Sequence, residues 1–524
     1  MKLTQLLTPY ITQNDVSIYD VSIKGLVTDN RDVKVGDCFI ALAGITSHGK
    51  TYIDDAIARG AVAVLLEMEQ QVNNGVVITL RAGVPVIEVS ELKSKLNQIL
   101  IDFYQLSKAA FDMRLMAVTG TNGKSSITRF AAQMSHGLQQ PTGLMGTLGF
   151  GVWPNIVESK NTTPELAVLL RQFALMKAQG AEQVAMEVSS HGIEQKRIEG
   201  LTFETAVFAN LSQDHLDYHG DMESYFCIKR QLFLLPKLHY AIINADDEYG
   251  QRLLADKEIS AQKFSYGFSS CADVRVVSWA VKGASIDASI TTPWGDAKFT
   301  INMVGDFNLA NVLAAICLLA VGNTFAFPDI IAAIKYITPA PGRMQTYSKA
   351  GCANAVVDFA HTPDALQNVL TTLKKQTSGK LVVVFGCGGN RDASKRPQMT
   401  AIAQSIADRV ILTADNPRKE NLENIVADMQ SNLDAASKAA MTVELDRSKA
   451  IELALAGLTE QDLLLIAGKG HEAYQDIDGI KHSYSDEAVL LSLGYQDVAQ
   501  PIESMKTESL KTDSIKKESI KEVL

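Results

Sequence analysis

The stretch A-V-T-G-T-N-G-K-S-S, residues 117–126, constrains the fold most strongly, because it looks like a shortened phosphate-binding loop. The usual loop has a Gly, four residues of any kind and then Gly-Lys-Ser/Thr. Here Val118 stands where the first Gly would fall, and Gly120 comes only three residues before Gly123. The preceding R-L-M-A-V predicts a buried strand, and the following S-S-I-T-R-F-A-A-Q-M-S-H-G-L has helical spacing. The stretch therefore predicts a strand-to-helix turn.

A turn of this kind attracts phosphate, since free backbone N–H groups and the helix N-terminus face the anion. We expect Lys124 to meet the β- and γ-phosphates of a nucleoside triphosphate, and the Ser125 hydroxyl to meet Mg²⁺. The nucleotide-binding residues predicted from the loop are Thr119, Gly120, Thr121, Asn122, Gly123, Lys124 and Ser125. The alternative is a structural turn that happens to contain Gly-Lys-Ser.

Length and composition indicate a large globular protein. A chain of 524 residues is too long for one ordinary core, so three domains are expected. A formal net charge of -10 argues against a nucleic-acid-binding surface. The six cysteines lie far apart without a Cys-x-x-Cys pair, which favours reduced thiols over a disulfide framework or a zinc site.

The sequence also argues against a secretory or membrane protein. The first fifteen residues, M-K-L-T-Q-L-L-T-P-Y-I-T-Q-N-D, have no uninterrupted apolar core of the kind a cleavable signal needs. The longest apolar run, 312–321, is about half of what a membrane span requires. We expect a cytoplasmic protein, a monomer without a nucleic-acid or membrane partner.

Apolar runs of four to eight residues alternate with helical stretches along most of the chain, which predicts an α/β fold with parallel sheets. We expect a small α/β domain at 1–100, a central P-loop-type parallel-sheet ATPase domain at 101–340, and a Rossmann-like domain at 341–497. T-P-A-P-G-R, residues 338–343, is the expected hinge between the last two domains. The five-residue repeats near the end predict a disordered tail over 498–524.

Polar side chains follow two further strands of the central region. Glu187 ends the strand in Q-V-A-M-E-V. The motif N-L-S-Q-D-H-L-D-Y-H-G places four more polar residues after the next strand: Asp214, His215, Asp217 and His219. Carboxylates are ligands that Mg²⁺ prefers, and open α/β sheets bind ligands at the carboxyl ends of their strands. These residues predict a metal site, with a polar loop of satisfied hydrogen bonds as the alternative.

Eight motifs then occur in order along the chain. They are T-G-T-N-G-K-S (119–125), N-T-T-P (161–164), E-V-S-S-H-G (187–192), N-L-S-Q-D-H-L-D-Y-H-G (210–220), V-D-F-A-H-T-P-D-A-L (357–366), F-G-C-G-G-N-R-D (385–392), D-N-P-R (415–418) and G-K-G-H-E (468–472). Together they resemble the Mur ligase family, over roughly residues 20–490. Among its members, the chain is most similar to those that use meso-diaminopimelate.

The resemblance implies an ATP- and Mg²⁺-dependent ligase of peptidoglycan-precursor synthesis. Its substrates would be UDP-N-acetylmuramoyl-L-alanyl-D-glutamate and meso-diaminopimelate. The D-glutamate side-chain carboxylate would be activated as an acyl phosphate and then attacked by the amine, releasing phosphate. Two anions must meet in this reaction, so cationic groups and metal must offset their charge.

The resemblance also assigns roles to residues where the motifs match. Lys229 would be carbamylated by CO₂ and help to hold Mg²⁺, although a lysine on a helix is ordinarily a surface residue. The implied catalytic residues are Lys124, Glu187, His215 and Lys229, and the implied metal ligands are Ser125, Glu187, His215 and Lys229. Further nucleotide contacts are implied at Asn308, Arg343, Asp358 and His361.

The substrate-binding residues implied by the resemblance fall into three sets. The uridine-diphosphate end would contact Thr28, Asn30, Ile45, Thr46 and Ser47. The muramoyl-dipeptide part would contact Asn161, Thr162, Thr163, Ser189, Gln195 and Arg197. The incoming amino acid would contact Arg391, Asp415, Asn416, Pro417, Arg418, Gly468 and Glu472.

D-N-P-R is the motif that bears on the choice of amino acid. The distal end of diaminopimelate carries a carboxylate that lysine lacks, and Arg418 can form a bidentate pair with it. The alternative is a surface turn with its arginine in solvent. Two other functions stay open: a folylpolyglutamate-type ligase, and a regulatory NTPase that uses the loop as a switch. The second leaves Lys229, Arg391 and Arg418 without a use.

Overall fold

The computed structural model describes residues 1–10, 20–43, 48–68, 77–104, 113–159, 161–282, 285–303 and 305–498. The chain divides into two compact units. The first comprises Met1–Asn302 with Asp306–Ile337, and the second comprises Met303–Gly305 with the chain from Thr338 onward. Each unit is described by itself below.

The first unit begins with a five-stranded sheet in the order β1-β2-β3-β5-β4. Its pairs are parallel except the β4–β5 hairpin. The strands are β1 (Gly25–Val27), β2 (Asp37–Ala41), β3 (Ala63–Glu67), β4 (Val77–Arg81) and β5 (Val84–Val89). The helices are α1 (Leu3–Leu7), α2 (Ile53–Ala58) and α3 (Leu92–Tyr104). Every residue of β1 and β2 is buried, as expected for apolar strands covered on both faces.

A ten-stranded sheet follows in the same unit, in the order β15-β14-β13-β12-β11-β10-β6-β9-β7-β8. Its strands are β6 (Arg114–Thr119), β7 (Thr142–Gly146), β8 (Gly149–Val152), β9 (Gln183–Glu187), β10 (Thr205–Phe208), β11 (Tyr240–Asn244), β12 (Gln262–Gly267), β13 (Val274–Lys282), β14 (Ser285–Thr292) and β15 (Gly295–Ile301). The strands from β7 through β9, β6, β10, β11 and β12 to β13 pair in parallel, and β14 and β15 extend the sheet antiparallel.

The helices that belong to this sheet are α4 (Lys124–Gly137), α5 (Leu166–Ala178), α6 (Ser190–Glu194), α7 (Leu216–His219), α8 (Met222–Arg230), α9 (Glu248–Ala255), α10 (Asp306–Ala320) and α11 (Phe327–Ala333). One apolar core joins the two sheets of the unit, since it includes Leu100 of α3 and Leu170 of α5. A partly buried ion pair adds to this junction, with Arg171 Nη1 at 3.1 Å from Asp37 Oδ2.

The order of the central strands explains where the polar motifs meet. β6 lies between β9 and β10, and the three strands run parallel. The phosphate-loop motif follows β6, E-V-S-S-H-G begins at the end of β9, and the motif 210–220 follows β10. Because carboxyl ends of parallel strands share one edge, the sequence motifs converge there.

The second unit contains a seven-stranded sheet in the order β20-β19-β18-β21-β17-β16-β24, and a separate two-stranded sheet. The strands are β16 (Gln345–Ser348), β17 (Asn354–Asp358), β18 (Leu381–Phe385), β19 (Arg409–Leu412), β20 (Thr442–Val443), β21 (Leu463–Ala467), β22 (Tyr474–Ile477), β23 (Ile480–Ser483) and β24 (Gln496–Asp497). The helices are α12 (Pro363–Gln376), α13 (Lys395–Ile406), α14 (Leu422–Met429), α15 (Ala435–Ala440), α16 (Arg447–Leu455) and α17 (Asp486–Ser492).

The neighbours β19, β18, β21 and β17 are parallel, and their carboxyl ends carry four of the motifs. The predicted α/β layers with parallel sheets are therefore present in both units. The predicted domain boundaries stay predictions, and the predicted tail lies outside the described residues except for residue 498. Across the described residues, every helix is too short or too polar to cross a membrane.

Candidate functional site

The predicted phosphate loop is the turn between β6, which ends at Thr119, and α4, which begins at Lys124. Gly120 and Gly123 have φ angles of +150° and +86°. A Cβ at Gly123 would lie 2.6 Å from Asn311 Oδ1, and one at Gly120 would lie 2.9 Å from the Cβ of Ala209. The loop therefore requires glycine at both positions, for conformation and for space.

The loop is held in shape by Asn210, which follows β10. Asn122 donates its backbone N–H to Asn210 Oδ1 at 2.9 Å, and Asn210 Nδ2 donates to Asn122 O at 3.2 Å. Thr121 adds a backbone hydrogen bond to Asn210 O at 3.0 Å. The sequence analysis missed this residue, although it opens the motif 210–220.

Two lysines donate to the carbonyl oxygens of the loop. Lys124 Nζ donates to Gly120 O at 2.9 Å and to Thr121 O at 2.8 Å. Lys229 Nζ donates to the same Gly120 O at 3.1 Å and to Thr119 Oγ1 at 3.3 Å. Gly120 O therefore accepts hydrogen bonds from two lysine side chains, at the turn where phosphate binding was predicted.

Lys229 is buried, contrary to the ordinary expectation for a lysine on a helix. Burial lowers its pKa well below the usual value, Lys124 lowers it further, and Asp214 opposes the shift. The Lys229 amine also lies 4.8 Å above the ring of Tyr225. A neutral amine is the form that reacts with CO₂, so this environment fits the implied carbamate.

Glu187 is buried at the end of β9. Its Oε1 accepts the backbone N–H of Thr147 at 2.8 Å, and its Oε2 accepts the Thr147 hydroxyl at 3.2 Å. Thr147 Oγ1 also lies 2.9 Å from Thr162 Oγ1. The hydrogen bonds thus place the predicted metal residue Glu187 beside a predicted substrate residue.

His215 is exposed and adopts a φ of +55°, and its Nε2 lies 3.4 Å from Asp214 Oδ2. His219 is buried, stacks on Tyr225 at 4.7 Å, and has its Nε2 2.8 Å from Ser190 Oγ. Burial lowers the pKa of His219 below the usual histidine value. Within the described ranges, no three or more His, Cys, Asp or Glu side chains are grouped as metal ligands. The metal-binding roles implied for Ser125, Glu187, His215 and Lys229 stay predictions.

Three of the residues predicted for the muramoyl-dipeptide part, Thr163, Ser189 and Gln195, come together around Arg197. Arg197 Nη1 donates to Thr163 O at 2.6 Å, and its Nη2 donates to Gln195 Oε1 at 2.6 Å. Thr163 Oγ1 donates to Glu187 O at 3.0 Å and accepts the N–H of Ser189 at 2.9 Å. Asn161 is exposed and is not joined to this set by a described side-chain contact.

The residues predicted for the uridine-diphosphate end are only partly described. Thr28 Oγ1 donates to Glu165 Oε2 at 3.2 Å, and Asn30 Nδ2 donates to Asp55 Oδ2 at 2.7 Å. The residues 45–47 lie outside the described ranges. Asn308 is buried in α10, the helix whose Asn311 approaches Gly123 of the loop. The contacts of these residues with substrates stay predictions.

In the second unit, Asp358 is held by two backbone groups. Its Oδ2 accepts the N–H of Met344 at 2.7 Å, and its Oδ1 accepts the N–H of Ala360 at 2.8 Å. Burial raises the pKa of Asp358, and the nearby Arg343 opposes that shift. Arg343 stacks on Phe359 at 4.5 Å, and His361 Nδ1 lies 2.8 Å from Phe359 O.

The D-N-P-R turn follows β19 and faces the loop after β18. Arg418 has a φ of +53°, and its Nη1 donates to Gly389 O at 2.8 Å. Its Nε lies 4.0 Å from Asp476 Oδ2. A Cβ at Gly389 would lie 2.0 Å from Pro417 O, so the two loops are in close contact. Arg391 is exposed and makes no hydrogen bond or ion pair with the described residues.

The amide of Asn416 joins this turn to the motif 468–472. Asn416 Nδ2 donates to Glu472 Oε2 at 2.8 Å, while Asn416 Oδ1 accepts from Lys469 Nζ at 3.1 Å. Burial raises the pKa of Asp415, and Lys469 is the largest opposing influence. Asp415, Asn416, Gly468 and Glu472 are thus brought together, as the resemblance implied.

Two buried arginines support these loops and were missed by the sequence analysis. Arg396 Nη2 donates to Gly388 O at 3.2 Å and to Glu420 Oε2 at 2.8 Å. Arg447 binds Asp486 through two nitrogen–oxygen contacts of 2.8 and 2.9 Å. Arg447 also donates to the carbonyls before Asp415 and Gly468, at 3.1 and 3.0 Å. Both arginines lie on helices without a motif, so the sequence offered no signal for them.

Comparison with known proteins matches three consecutive stretches of the chain. Residues 22–104 match the Mur ligase family, catalytic domain; residues 118–319 match the Mur ligase middle domain; and residues 342–470 match the Mur ligase, glutamate ligase domain.

A Coxiella burnetii protein named UDP-N-acetylmuramoyl-L-alanyl-D-glutamate–2,6-diaminopimelate ligase is 40% identical over 482 residues, which is 91% of this chain and 96% of that protein. A solved structure of a ligase of the same name is 35% identical, covers 90% of this chain and 94% of its own, and superposes with a TM-score of 0.61.

A solved folylpolyglutamate synthase of Mycobacterium tuberculosis shares the fold at 17% identity, over 71% of this chain and 91% of its own, with a TM-score of 0.60. At that identity the likeness concerns the fold alone. The predicted family, the three-domain α/β fold and the ligase class are confirmed by the more similar proteins. The chain belongs to the Mur ligase family.

Proposed function

We propose that the protein ligates meso-diaminopimelate to the D-glutamate side-chain carboxylate of UDP-N-acetylmuramoyl-L-alanyl-D-glutamate, using ATP and Mg²⁺. The observation that carries the proposal is the amino-acid pocket after β19. There Arg418 is oriented by its hydrogen bond to Gly389 O, and Asn416 donates a hydrogen bond to Glu472. A guanidinium for a distal carboxylate and a carboxylate for an ammonium group are the chemistry that a diamino diacid needs.

The first unit supports the activation of the carboxylate. Bound ATP supplies a phosphoryl group that converts the substrate carboxylate into an acyl phosphate. Lys124 would exchange its bonds to Gly120 O and Thr121 O for phosphate oxygens. The Ser125 hydroxyl, at the start of α4, and Glu187 would hold Mg²⁺ directly or through water.

Lys229 would serve this unit as a carbamate. Its neutral amine attacks CO₂, an N–C bond forms, and the nitrogen loses one proton, leaving an anionic carbamate. That change replaces an amine beside the loop with a group that presents oxygen atoms, which are the ligands that Mg²⁺ prefers. The lowered pKa of Lys229 favours the neutral amine, which is the form that reacts with CO₂.

Arg197 and its neighbours would orient the acceptor substrate. The guanidinium is fixed by Thr163 O and Gln195 Oε1, so it is already ordered for a carboxylate or phosphate. We infer a cytoplasmic site of action and a monomer. The cysteines of the described chain are all unpaired, which fits a reducing compartment.

The test is a coupled assay of phosphate release with identification of the product by mass spectrometry. Purified protein, ATP and Mg²⁺ are combined with the UDP-muramoyl dipeptide and an equimolar mixture of meso-diaminopimelate, L-lysine and L-glutamate. The proposal expects one ligated product, the diaminopimelate adduct, and phosphate release that depends on the UDP-sugar. A glutamate adduct would favour the folylpolyglutamate-type alternative, and hydrolysis indifferent to the UDP-sugar would favour a regulatory NTPase.

A further inference from the structure

Lys469 is a fully buried cation in the amino-acid pocket that no motif role explains. Its Nζ lies 3.0 Å from Glu472 Oε2, 3.1 Å from Asn416 Oδ1 and 3.7 Å from Asp415 Oδ1. A buried ammonium is expensive unless it is paired and hydrogen-bonded. Each of its three partners belongs to the set predicted to bind the incoming amino acid.

The direction of the hydrogen bonds fixes the orientation of the Asn416 amide. Asn416 Oδ1 accepts from Lys469 Nζ and also from the backbone N–H of Asp476 at 2.9 Å. An ammonium and a backbone N–H can only donate, so this atom must be the amide oxygen. The amide nitrogen is then directed at Glu472 Oε2, to which it donates at 2.8 Å.

The same network leaves one oxygen of Glu472 for a ligand. Its Oε2 accepts from both Asn416 Nδ2 and Lys469 Nζ. Its Oε1 has no hydrogen-bond donor among the described residues, and the side chain is 19% exposed. Glu472 therefore keeps one carboxylate oxygen that can accept a hydrogen bond from a cationic ligand.

We propose that Lys469 is a positioning residue, which sets the Glu472 carboxylate so that its Oε1 receives an ammonium group of the incoming amino acid. The inference rests on the proposed function, since it takes the ligand of this pocket to be an amino acid. Lys469 itself is fully buried and acts through Asn416 and Glu472.

The first experiment measures KM for each substrate in Lys469→Met and Lys469→Gln. Methionine removes charge and donor, whereas glutamine keeps a donor for Asn416 Oδ1. We expect Lys469→Met to raise KM for meso-diaminopimelate roughly ten- to a hundredfold, the range for losing a charge-assisted contact. KM for ATP and for the UDP-muramoyl dipeptide should stay close to the wild-type values. KM of Lys469→Gln for meso-diaminopimelate should lie between those of the wild-type protein and Lys469→Met. An unchanged KM for the amino acid in Lys469→Met would overturn the proposal.

The second experiment separates positioning from a merely structural role by a double-mutant cycle with Glu472→Gln. If Lys469 acts through Glu472, the double variant should have nearly the KM of Glu472→Gln alone. Fully additive effects would contradict the proposal. Lys374→Met is the matched control, because Lys374 pairs with Asp408 just before β19 starts, at the opposite end of the strand from the pocket. It should leave every KM unchanged.

Two further measurements separate a failure of the Lys469 proposal from misfolding of the variant and from a failure of the proposed function. Phosphorylation of the UDP-muramoyl dipeptide by ATP, trapped in the absence of amino acid, should be preserved in Lys469→Met and shows that the variant is folded. Ligation by the wild-type protein tests the proposed function separately. If wild type ligates another amino acid, the cycle is run with that substrate, and the Lys469 proposal still stands or fails on its own result.

Discussion

The predicted phosphate loop and the proposed amino-acid pocket are built in opposite ways. The loop is a run of seven consecutive residues, with glycine where a Cβ would collide with Ala209 or Asn311. The pocket uses side chains from three loops, which are held by the buried charges of Lys469, Arg396 and Arg447.

The difference shows which part of a ligase a sequence reveals most readily. Backbone recognition requires contiguous residues at fixed spacing, so it produces a local motif. Recognition by supported side chains depends on contacts between distant positions, such as Arg447 with Asp486. Substitutions in the loop and substitutions beneath the pocket should therefore affect stability and catalysis differently.

The largest effect is expected for the buried ion pair beneath the pocket. Arg447→Met leaves Asp486 buried without its partner and should lower the free energy of unfolding by about 3–5 kcal/mol. Urea unfolding of the full chain measures this. Lys449→Met, on the same helix with an exposed partner at 3.8 Å, is the control and should change stability little. Equal losses in the two variants would contradict the supporting role of Arg447.

Lys229→Ala should lower kcat by roughly 10²–10³-fold, because a preorganised group next to the phosphates is lost. Short carboxylates such as acetate should restore part of the phosphate release, since the cavity left by the side chain can take a carbamate substitute. Full activity without added carboxylate would rule out the metal role of Lys229.

Lys229→Met should instead stabilise the folded protein near neutral pH. The pKa of Lys229 is lowered in the folded state, so the unfolded chain binds more protons, and the wild-type protein gains stability as pH rises. The window runs from the lowered pKa up to the model-peptide value of about 10.4. Melting curves at pH 7 and pH 10 should show the advantage of the variant shrinking with pH. An advantage that does not depend on pH would disprove a neutral Lys229.

Gly123→Ala tests the loop, and its expected effect is smaller. Backbone strain should lower the free energy of unfolding by about 1–3 kcal/mol, and KM for ATP should rise. Gly180→Ala is the matched control, because its φ of +88° is nearly that of Gly123 while its Cβ would meet open space. The additional loss of unfolding free energy in Gly123→Ala over Gly180→Ala measures the collision with Asn311. Identical losses of unfolding free energy and an unchanged KM for ATP would show that the loop tolerates a side chain.

The parts of this protein that could be predicted are those that follow from the spacing of apolar residues and from local sequence motifs. The strand ending at Thr119 and the helix starting at Lys124 follow from hydrophobic spacing, and so do the parallel sheets. The convergence of motifs after β6, β9 and β10 followed from strand order.

The remaining contacts join residues that are distant in the sequence, and the spacing of apolar residues does not specify them. The burial of Lys229 was not visible, since its helix, M-E-S-Y-F-C-I-K-R, mixes apolar and polar residues as an ordinary amphipathic helix does. Lys469 stood inside a quoted motif, yet its three polar partners lie up to 54 positions away in the chain. Long-range ion pairs are fixed by tertiary packing rather than by local propensity, and this explains why the supports of the pocket were missed.

The most direct test of the account is the ratio of kcat/KM for meso-diaminopimelate to that for L-lysine, in wild type and in Arg418→Ala. The account predicts strong preference for diaminopimelate in the wild-type protein, falling roughly ten- to a hundredfold in the variant as the contact with the distal carboxylate is lost. Lysine turnover itself should change little. A wild-type protein that uses the two amino acids equally, or a ratio unaffected by Arg418→Ala, would contradict it.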